Sequence, residues 1–232
     1  LKRDGHVAYF QHLWMKKLPS EATSSEPQRV TLLYFCINAL YLLSALPESP
    51  SVLDTARRWI LKCLFVQEEG EGAAGFVGGT SIGGGRGIGD PHLAMTYAAI
   101  CSLYVLSPED VVALPRDKIL MFVASQCLKD GSFRASRDAG EVDVRFVYCA
   151  CAICSLLGQE PSKVFPDVEA TVAWIQSCQT YEGGFGLRPG NEAHGGSTYC
   201  AVASLSLLGN PLKGEEEMRL LHWLSRRQGH GF

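Results

Sequence analysis

The segment EAHGGS at residues 192–197 is the strongest candidate in the sequence for binding a charged ligand. It stands where a helix is predicted to begin, so backbone N–H groups that lack helical partners lie beside two glycines and an imidazole. Such groups suit an anion, above all phosphate, and glycines permit its close approach. The alternative is that Gly195 and Gly196 only allow tight helix packing and that His194 caps a neighbouring group. The spacing leaves both interpretations open.

The same position at the start of two earlier predicted helices carries His92 and Asp143, with Arg145 two residues after the aspartate. If these helices line one barrel, we expect His92, Arg145 and His194 to approach one rim. Polar groups above an apolar, tyrosine-lined interior would form a cavity for a ligand that has an anionic head and a long apolar tail. The alternative is a set of buried polar residues whose hydrogen bonds are satisfied within the fold.

The elements that must position these residues form a repeat. Three apolar segments align on Tyr97, Tyr148 and Tyr199 and recur every 51 residues. A serine or glycine stands ten positions after each tyrosine, as a helix stop signal. An acid stands seven positions before each tyrosine, where capping and the helix macrodipole favour it. These acids are Asp90, Glu141 and Glu192.

A more amphipathic helix and a glycine turn that ends in an aromatic residue precede these helices, as in DGSF at Phe133 and EGGFG around Phe185. Helical hairpins at this period stack on their neighbours. Small-residue helices inside and amphipathic helices outside predict an all-α fold, an α/α barrel (toroid) of repeated helical hairpins. We expect a single domain over residues 1–232 that is incomplete at its C-terminal end, because the last repeat stops at Phe232.

The composition favours a soluble globular protein, with 47% hydrophobic and 19% charged residues and a formal net charge of -3. This charge gives no general attraction to nucleic acid or to an anionic membrane surface. Apolar stretches are shorter than a membrane span and the first residues are too polar for a signal peptide, so we expect no membrane span and a cytoplasmic location. Nine cysteines, most of them in apolar helical runs, favour reduced core thiols.

Four segments resemble the β subunits of protein prenyltransferases: QRVTLLYF at Gln28, HLAMTY at His92, DVRFVYCA at Asp143 and EAHGGSTYC at Glu192. That family has an α/α barrel, binds an isoprenoid diphosphate in the central cavity and transfers the lipid to a cysteine thiolate of a substrate protein. The resemblance implies zinc as the cofactor that lowers the thiol pKa. It also implies a heterodimer with a helical prenyltransferase α subunit, and CaaX-ending substrate proteins such as small GTPases.

The resemblance also implies roles for individual positions. The residues implied to bind the diphosphate and the isoprenoid are His194, Gly195, Gly196, Cys200, Arg145, Tyr148, Tyr97, Thr31 and Phe35. Those implied to bind the CaaX peptide are His92, Ala94 and Phe146. No catalytic residue and no metal ligand is assigned, because the family's zinc ligands are expected beyond Phe232. The need for Mg²⁺ stays open.

Within the family, Thr31 favours protein geranylgeranyltransferase type I, because farnesyltransferases have a tryptophan there that closes the cavity floor. A small residue leaves room for the C20 chain of geranylgeranyl diphosphate, which this type transfers to a CaaX motif that usually ends in leucine. Farnesyltransferase and Rab geranylgeranyltransferase β subunits are the alternatives. A non-catalytic helical-repeat scaffold is the alternative of another class. We expect the fragment alone to be inactive.

Overall fold

The structure is a computed structural model that describes residues 2–15, 20–67, 72–80, 90–137 and 140–229. The chain divides into two compact units, Leu1–Phe122 and Val123–Phe232. The end of the last predicted glycine turn, at Phe232, lies outside the described residues.

The first unit consists of helices and one two-stranded ribbon. Its elements are α1 (Arg3–Met15), a 3-10 helix (Ser20–Gln28), α2 (Arg29–Leu42), α3 (Pro50–Lys62), β1 (Leu64–Val66), β2 (Ala74–Phe76), α4 (Leu93–Leu106), α5 (Pro108–Ala113) and α6 (Arg116–Ser125), which continues into the second unit. Helix α2 packs along α4, α1 contacts α2, and α3 contacts α4. Ile37, Leu40, Ile100 and Leu103 are fully buried and form the core of this packing.

The second unit repeats the pairing of two inner helices. After α6 come α7 (Val144–Leu156), a 3-10 helix (Pro161–Lys163), α8 (Val168–Ser177), α9 (Gly195–Leu207) and α10 (Glu215–Ser225). Helix α7 packs along α9, and α8 contacts α9. Small buried residues such as Ala150, Cys151 and Ala201 line α7 and α9, and small side chains let helices approach closely.

The predicted repeat sets the beginnings of α4, α7 and α9 in the same way. Their N-cap residues are His92, Asp143 and His194, and each side chain accepts a hydrogen bond from the backbone N–H two residues later. The acids that were predicted to cap these helices stand two residues too early, so that prediction was wrong. A capping side chain must sit in extended backbone directly before the first helical residue to reach these N–H groups.

The predicted stop signals are confirmed. Gly158 and Gly209 follow the ends of α7 and α9 with φ of 68° and 73°. Glycine adopts this left-handed conformation without steric cost, which is why it ends helices.

The two short strands are the difference from the all-α prediction. Strand β1 pairs antiparallel with β2 where α3 ends and the chain turns back. In the second unit single bridges join Cys127 with Phe133 and Gln179 with Phe185. All three pairings occur at the turn after an outer helix, where the returning chain runs beside the helix end. The strands are therefore part of the predicted turns.

The cysteines are free thiols, most of them buried, which confirms the expectation of reduced core thiols. Burial raises the pKa of Cys154 to about 12, so this group stays protonated at neutral pH. No helix in the described part of the chain has the length and apolarity to cross a membrane. The cytoplasmic location stays a prediction.

Replacing Gly131 by alanine should destabilise the protein strongly. Gly131 has φ of 84°, and an added Cβ would collide with the backbone of Ala170. We expect a loss of about 3 kcal/mol, from the left-handed conformation and the overpacking together. The measurement is urea unfolding of the full-length protein.

Two other glycines separate the effect of the left-handed conformation from the effect of the collision. Gly158 has φ of 68° but open space around it, so Gly158→Ala should cost about 1 kcal/mol. Gly140 has no neighbouring atom within 4 Å and lacks a positive φ, so Gly140→Ala should change stability by under about 0.5 kcal/mol. Equal losses at Gly131 and Gly158 would contradict the predicted collision.

Candidate functional site

His194 lies at the beginning of α9 as its N-cap residue, in extended backbone with φ of -133° and ψ of 147°. Its Nδ1 accepts a hydrogen bond from the backbone N–H of Gly196 over 3.0 Å. An imidazole nitrogen that accepts a hydrogen bond carries no proton, so the proton of the neutral ring is on Nε2. No described residue pairs with Nε2. The exposed His194 ring therefore offers an N–H donor to a ligand.

The two glycines after His194 are open to solvent. A Cβ built on Gly195 would meet no atom within 4 Å, and one built on Gly196 would approach only the His194 ring, at 3.2 Å. Tight helix packing therefore does not explain these glycines in the described part of the chain. Capping by His194 is observed, but the cap leaves Nε2 available. Open glycines beside helical N–H groups are what an anion site requires.

The loop before α9 holds the beginnings of both inner helices of the second unit. The backbone N–H of His194 donates to the carbonyl of Phe185 over 3.1 Å. The backbone N–H of Val144, the first residue of α7, donates to the carbonyl of Leu187 over 3.0 Å. The two acceptors are two residues apart, so the beginnings of α7 and α9 are neighbours. Arg145 and His194 thus belong to one end of this helix pair.

Arg145 is held by two carboxylates. Its Nε donates to Asp143 Oδ1 over 3.0 Å, and its Nη2 donates to Asp143 Oδ2 and to Glu141 Oε1, each over 2.6 Å. The hydrogen bonds that Arg145 donates to Asp143, together with the attraction of both carboxylates, raise the pKa of Arg145, so the guanidinium stays charged. The guanidinium also lies 5.5 Å from the ring centre of Phe146. No acceptor among the described residues pairs with Nη1 of Arg145.

Tyr148 and Tyr199 form a pair between α7 and α9. Their hydroxyl groups are 3.1 Å apart, and their rings meet edge to face with centres 5.3 Å apart. Tyr199 is 60% exposed. The resemblance placed Tyr148 beside the isoprenoid, and the structure puts it with Tyr199 on the helix pair that begins with Arg145 and His194.

Tyr97 makes the equivalent pair in the first unit, between α4 and α2. Its hydroxyl lies 3.4 Å from that of Tyr34, and the ring centres are 5.7 Å apart. Sequence reasoning missed Tyr34, because it precedes Tyr97 by 63 residues and so falls outside the repeat. Tyr34 lies on α2, which packs along α4, and a tyrosine in this apolar helix was the signal that could have identified the pair.

The other predicted residues of the first unit lie on the same two helices. Thr31 Oγ1 donates to the sulfur of Met95 over 3.0 Å. The backbone N–H of Ala94 donates to Nδ1 of His92 over 3.1 Å, as in the cap of α9. Phe35 is 56% exposed. It lies one turn after Thr31 on α2, where residues four apart share a face.

An apolar cavity of about 980 Å³ lies between α1, α2 and α3. Phe35 lines it together with Trp14, Tyr34, Leu42 and Trp59. Of the residues predicted to contact the isoprenoid, Phe35 is the one in this lining.

Phe146 is the most buried member of the predicted site, and Cys200 is half-buried. Phe146 is 3% exposed beneath the Arg145 guanidinium. Burial raises the pKa of the Cys200 thiol to about 11, which fits an apolar wall better than a nucleophile.

The described residues contain no group of three or more His, Cys, Asp or Glu side chains that could hold a metal ion. Zinc binding requires a convergent set of three or four such ligands. The described residues therefore supply no zinc site of their own.

Comparison with known proteins identifies the family. The family model for the prenyltransferase alpha-alpha toroid domain matches residues 1–232. The chain belongs to the prenyltransferase alpha-alpha toroid family. This membership confirms the predicted α/α barrel class.

Two curated relatives of this prenyltransferase chain carry different type names. It is 36% identical over 220 residues to the geranylgeranyl transferase type-1 subunit beta of Arabidopsis thaliana, covering 90% of this chain and 56% of that protein. It is 35% identical over 224 residues to the protein farnesyltransferase subunit beta of Schizosaccharomyces pombe, covering 96% and 53%. The chain thus spans about half the length of these relatives.

A solved structure is similar to this chain along nearly all of its length. It is the Candida albicans protein geranylgeranyltransferase-I complexed with GGPP, with a TM-score of 0.84 and 27% identity. The match covers 99% of this chain and 65% of the solved one.

The cap formed by His194 generates a stability prediction for this chain. His194→Ala removes the acceptor for the Gly196 N–H and should cost about 1 kcal/mol. His194→Asn should cost under about 0.5 kcal/mol, because asparagine is a good N-cap residue. Urea unfolding of the full-length protein measures both. If alanine and asparagine cost the same, the cap does not contribute.

Proposed function

We propose that this chain belongs to the catalytic β subunit of a protein geranylgeranyltransferase type I. The observation that carries the proposal is the start of α9, where Nε2 of His194 faces solvent and the glycines after it leave room for a diphosphate. The structural neighbour complexed with GGPP supports an isoprenoid diphosphate as the ligand. The name of the Arabidopsis relative, a subunit beta, supports a heterodimer with an α subunit.

The proposed reaction joins a cysteine of a CaaX-ending protein to a C20 chain. The cysteine sulfur, having lost its proton to solvent, attacks C1 of the prenyl group. A C–S bond forms as the C–O bond to the diphosphate breaks, and the diphosphate leaves with the bonding electrons. His194 donates its Nε2–H to the leaving oxygens, and Nη1 of Arg145 offers a further donor nearby. Donors placed before the reaction stabilise the charge that develops on the diphosphate.

The choice of type I depends on Thr31. Its side chain is small and half-buried, and it stands one turn before the exposed ring of Phe35. A floor without an indole would leave length for a fourth isoprene unit. Tyr97 and Tyr148 would contact the prenyl group, while His92, Ala94 and Phe146 would contact the CaaX peptide. These roles stay predictions of the resemblance, as does zinc, and the need for Mg²⁺ stays open.

A farnesyltransferase β subunit is the second candidate. The identity to the S. pombe farnesyltransferase subunit, 35%, is close to the 36% found for the type-1 relative.

Competition between prenyl donors tests the proposed function. The full-length β subunit is co-expressed with its α partner and offered farnesyl and geranylgeranyl diphosphate together, with CaaX peptides that end in leucine or methionine. Type I requires preference for the C20 donor and for leucine. Preference for the C15 donor and methionine would assign the chain to farnesyltransferase. Transfer to neither peptide, with zinc supplied, would favour a Rab-type enzyme or a scaffold.

His194→Asn in the same complex tests the diphosphate contact. Because this change preserves the cap but removes the imidazole donor, we expect geranylgeranyl diphosphate to bind about ten- to hundredfold more weakly, the range for a hydrogen bond to a charged group. Titration with a fluorescent prenyl diphosphate analogue measures the affinity. Unchanged affinity and turnover would remove His194 from the site.

A further inference from the structure

The proposed function places Thr31 at the floor of the prenyl cavity, and the side chain of Met95 lies against it. The Thr31 hydroxyl oxygen lies 3.0 Å from the sulfur of Met95 on the facing helix. The methionine is 7% exposed, whereas the threonine is only half-buried. Sulfur is a weak acceptor, but the short separation means that the Met95 side chain fills the space directly behind Thr31.

The backbone around Met95 is fixed on both sides. The preceding N–H, of Ala94, donates to the His92 cap over 3.1 Å. The following residue, Thr96, is fully buried, and its hydroxyl accepts the backbone N–H of Phe76 over 2.9 Å. A change in the size of residue 31 therefore cannot be absorbed by moving the backbone of α4 at Met95.

The next turn of the two helices is fixed as well. The edge-to-face contact between Tyr34 and Tyr97, with ring centres 5.7 Å apart, holds α2 against α4 three residues after Thr31. Helices in contact at two successive turns have little freedom to separate. The space at position 31 is thus set by the side chain of Met95.

We propose that Met95 is a positioning residue for Thr31, and that it limits how large residue 31 can be before that residue shortens the space for the prenyl chain. The inference rests on the proposed function, because it takes position 31 to border the prenyl chain. Met95 holds the Thr31 side chain back against α4 and occupies the volume into which a larger residue would otherwise retreat. Met95 is enclosed, so a tryptophan at position 31 would have to project toward the prenyl chain.

A mutant cycle in the full-length heterodimer tests this coupling. The variants are Thr31→Trp, Met95→Ala and the double variant, with Met95→Leu alone and combined with Thr31→Trp as the size-matched control. The readout is the ratio of kcat/KM for geranylgeranyl diphosphate to kcat/KM for farnesyl diphosphate. This ratio does not depend on the fraction of enzyme that is folded, so a merely structural effect of Met95 would leave it unchanged.

The expected result is a strong coupling between the two positions. Thr31→Trp should lower the C20 to C15 ratio by about tenfold or more, the range for small changes of pocket volume. Met95→Ala alone should change the ratio by less than about twofold, because Thr31 stays small. The double variant Thr31→Trp with Met95→Ala should recover about tenfold of the loss, since the indole can retreat into the vacated space. The combination with Met95→Leu should recover none of it, because leucine fills that space.

Three results would overturn the inference, and they differ from one another. If the double variant shows the product of the two single effects, Met95 does not control position 31, although prenyl transfer stands. If Thr31→Trp leaves the ratio unchanged, position 31 does not border the prenyl chain. If the unaltered complex transfers neither donor, the proposed function fails and the inference fails with it.

Discussion

The beginning of each histidine-capped inner helix is locked to the preceding turn by two hydrogen bonds. In the second unit the backbone N–H of Phe185 donates to Thr198 Oγ1 over 2.9 Å, and its carbonyl accepts the N–H of His194 over 3.1 Å. The first unit has the same pair of distances, with Phe76, Thr96 and His92. Both threonines are buried, so water does not compete for them. The buried aromatic residue of the turn therefore fixes the histidine that caps the next helix.

The beginning of α7 is held in a different way, and its side chains have a different proposed role. Val147 stands where the other two helices have threonine, so α7 is held instead by the carbonyl of Leu187 and by the Asp143 cap. A carboxylate at the cap position can accept from a backbone N–H and from a guanidinium at once. Asp143 thereby places Arg145 beside the helix start. The beginnings of the two helices thus differ. The beginning of α9 supplies an N–H donor from His194, and the beginning of α7 supplies an oriented cation, Arg145.

The sequence predicted most where the physical signal is local and periodic. The spacing of the three tyrosines and the glycines after them gave the inner helices and their ends, because burial and positive φ leave a clear pattern. The predicted N-cap residues stand two positions before the observed ones, because an acid near the beginning of a helix interacts favourably with the macrodipole wherever it stands in the first turn. Contacts between residues that are far apart in the sequence were not predicted. Met95 in an apolar helix is indistinguishable from core, and only the packing of α2 on α4 brings it to Thr31.

The charges at the start of α7 largely compensate one another. One guanidinium there faces two carboxylates, one of them almost fully buried, and the neighbouring His194 contributes a neutral donor. This part of the protein therefore has directed hydrogen-bond donors, while the positive charge of Arg145 is balanced by the two carboxylates beside it. Donor geometry and net charge are separate requirements for holding a multiply charged anion, since hydrogen bonds to neutral donors leave most of the Coulomb energy unbalanced.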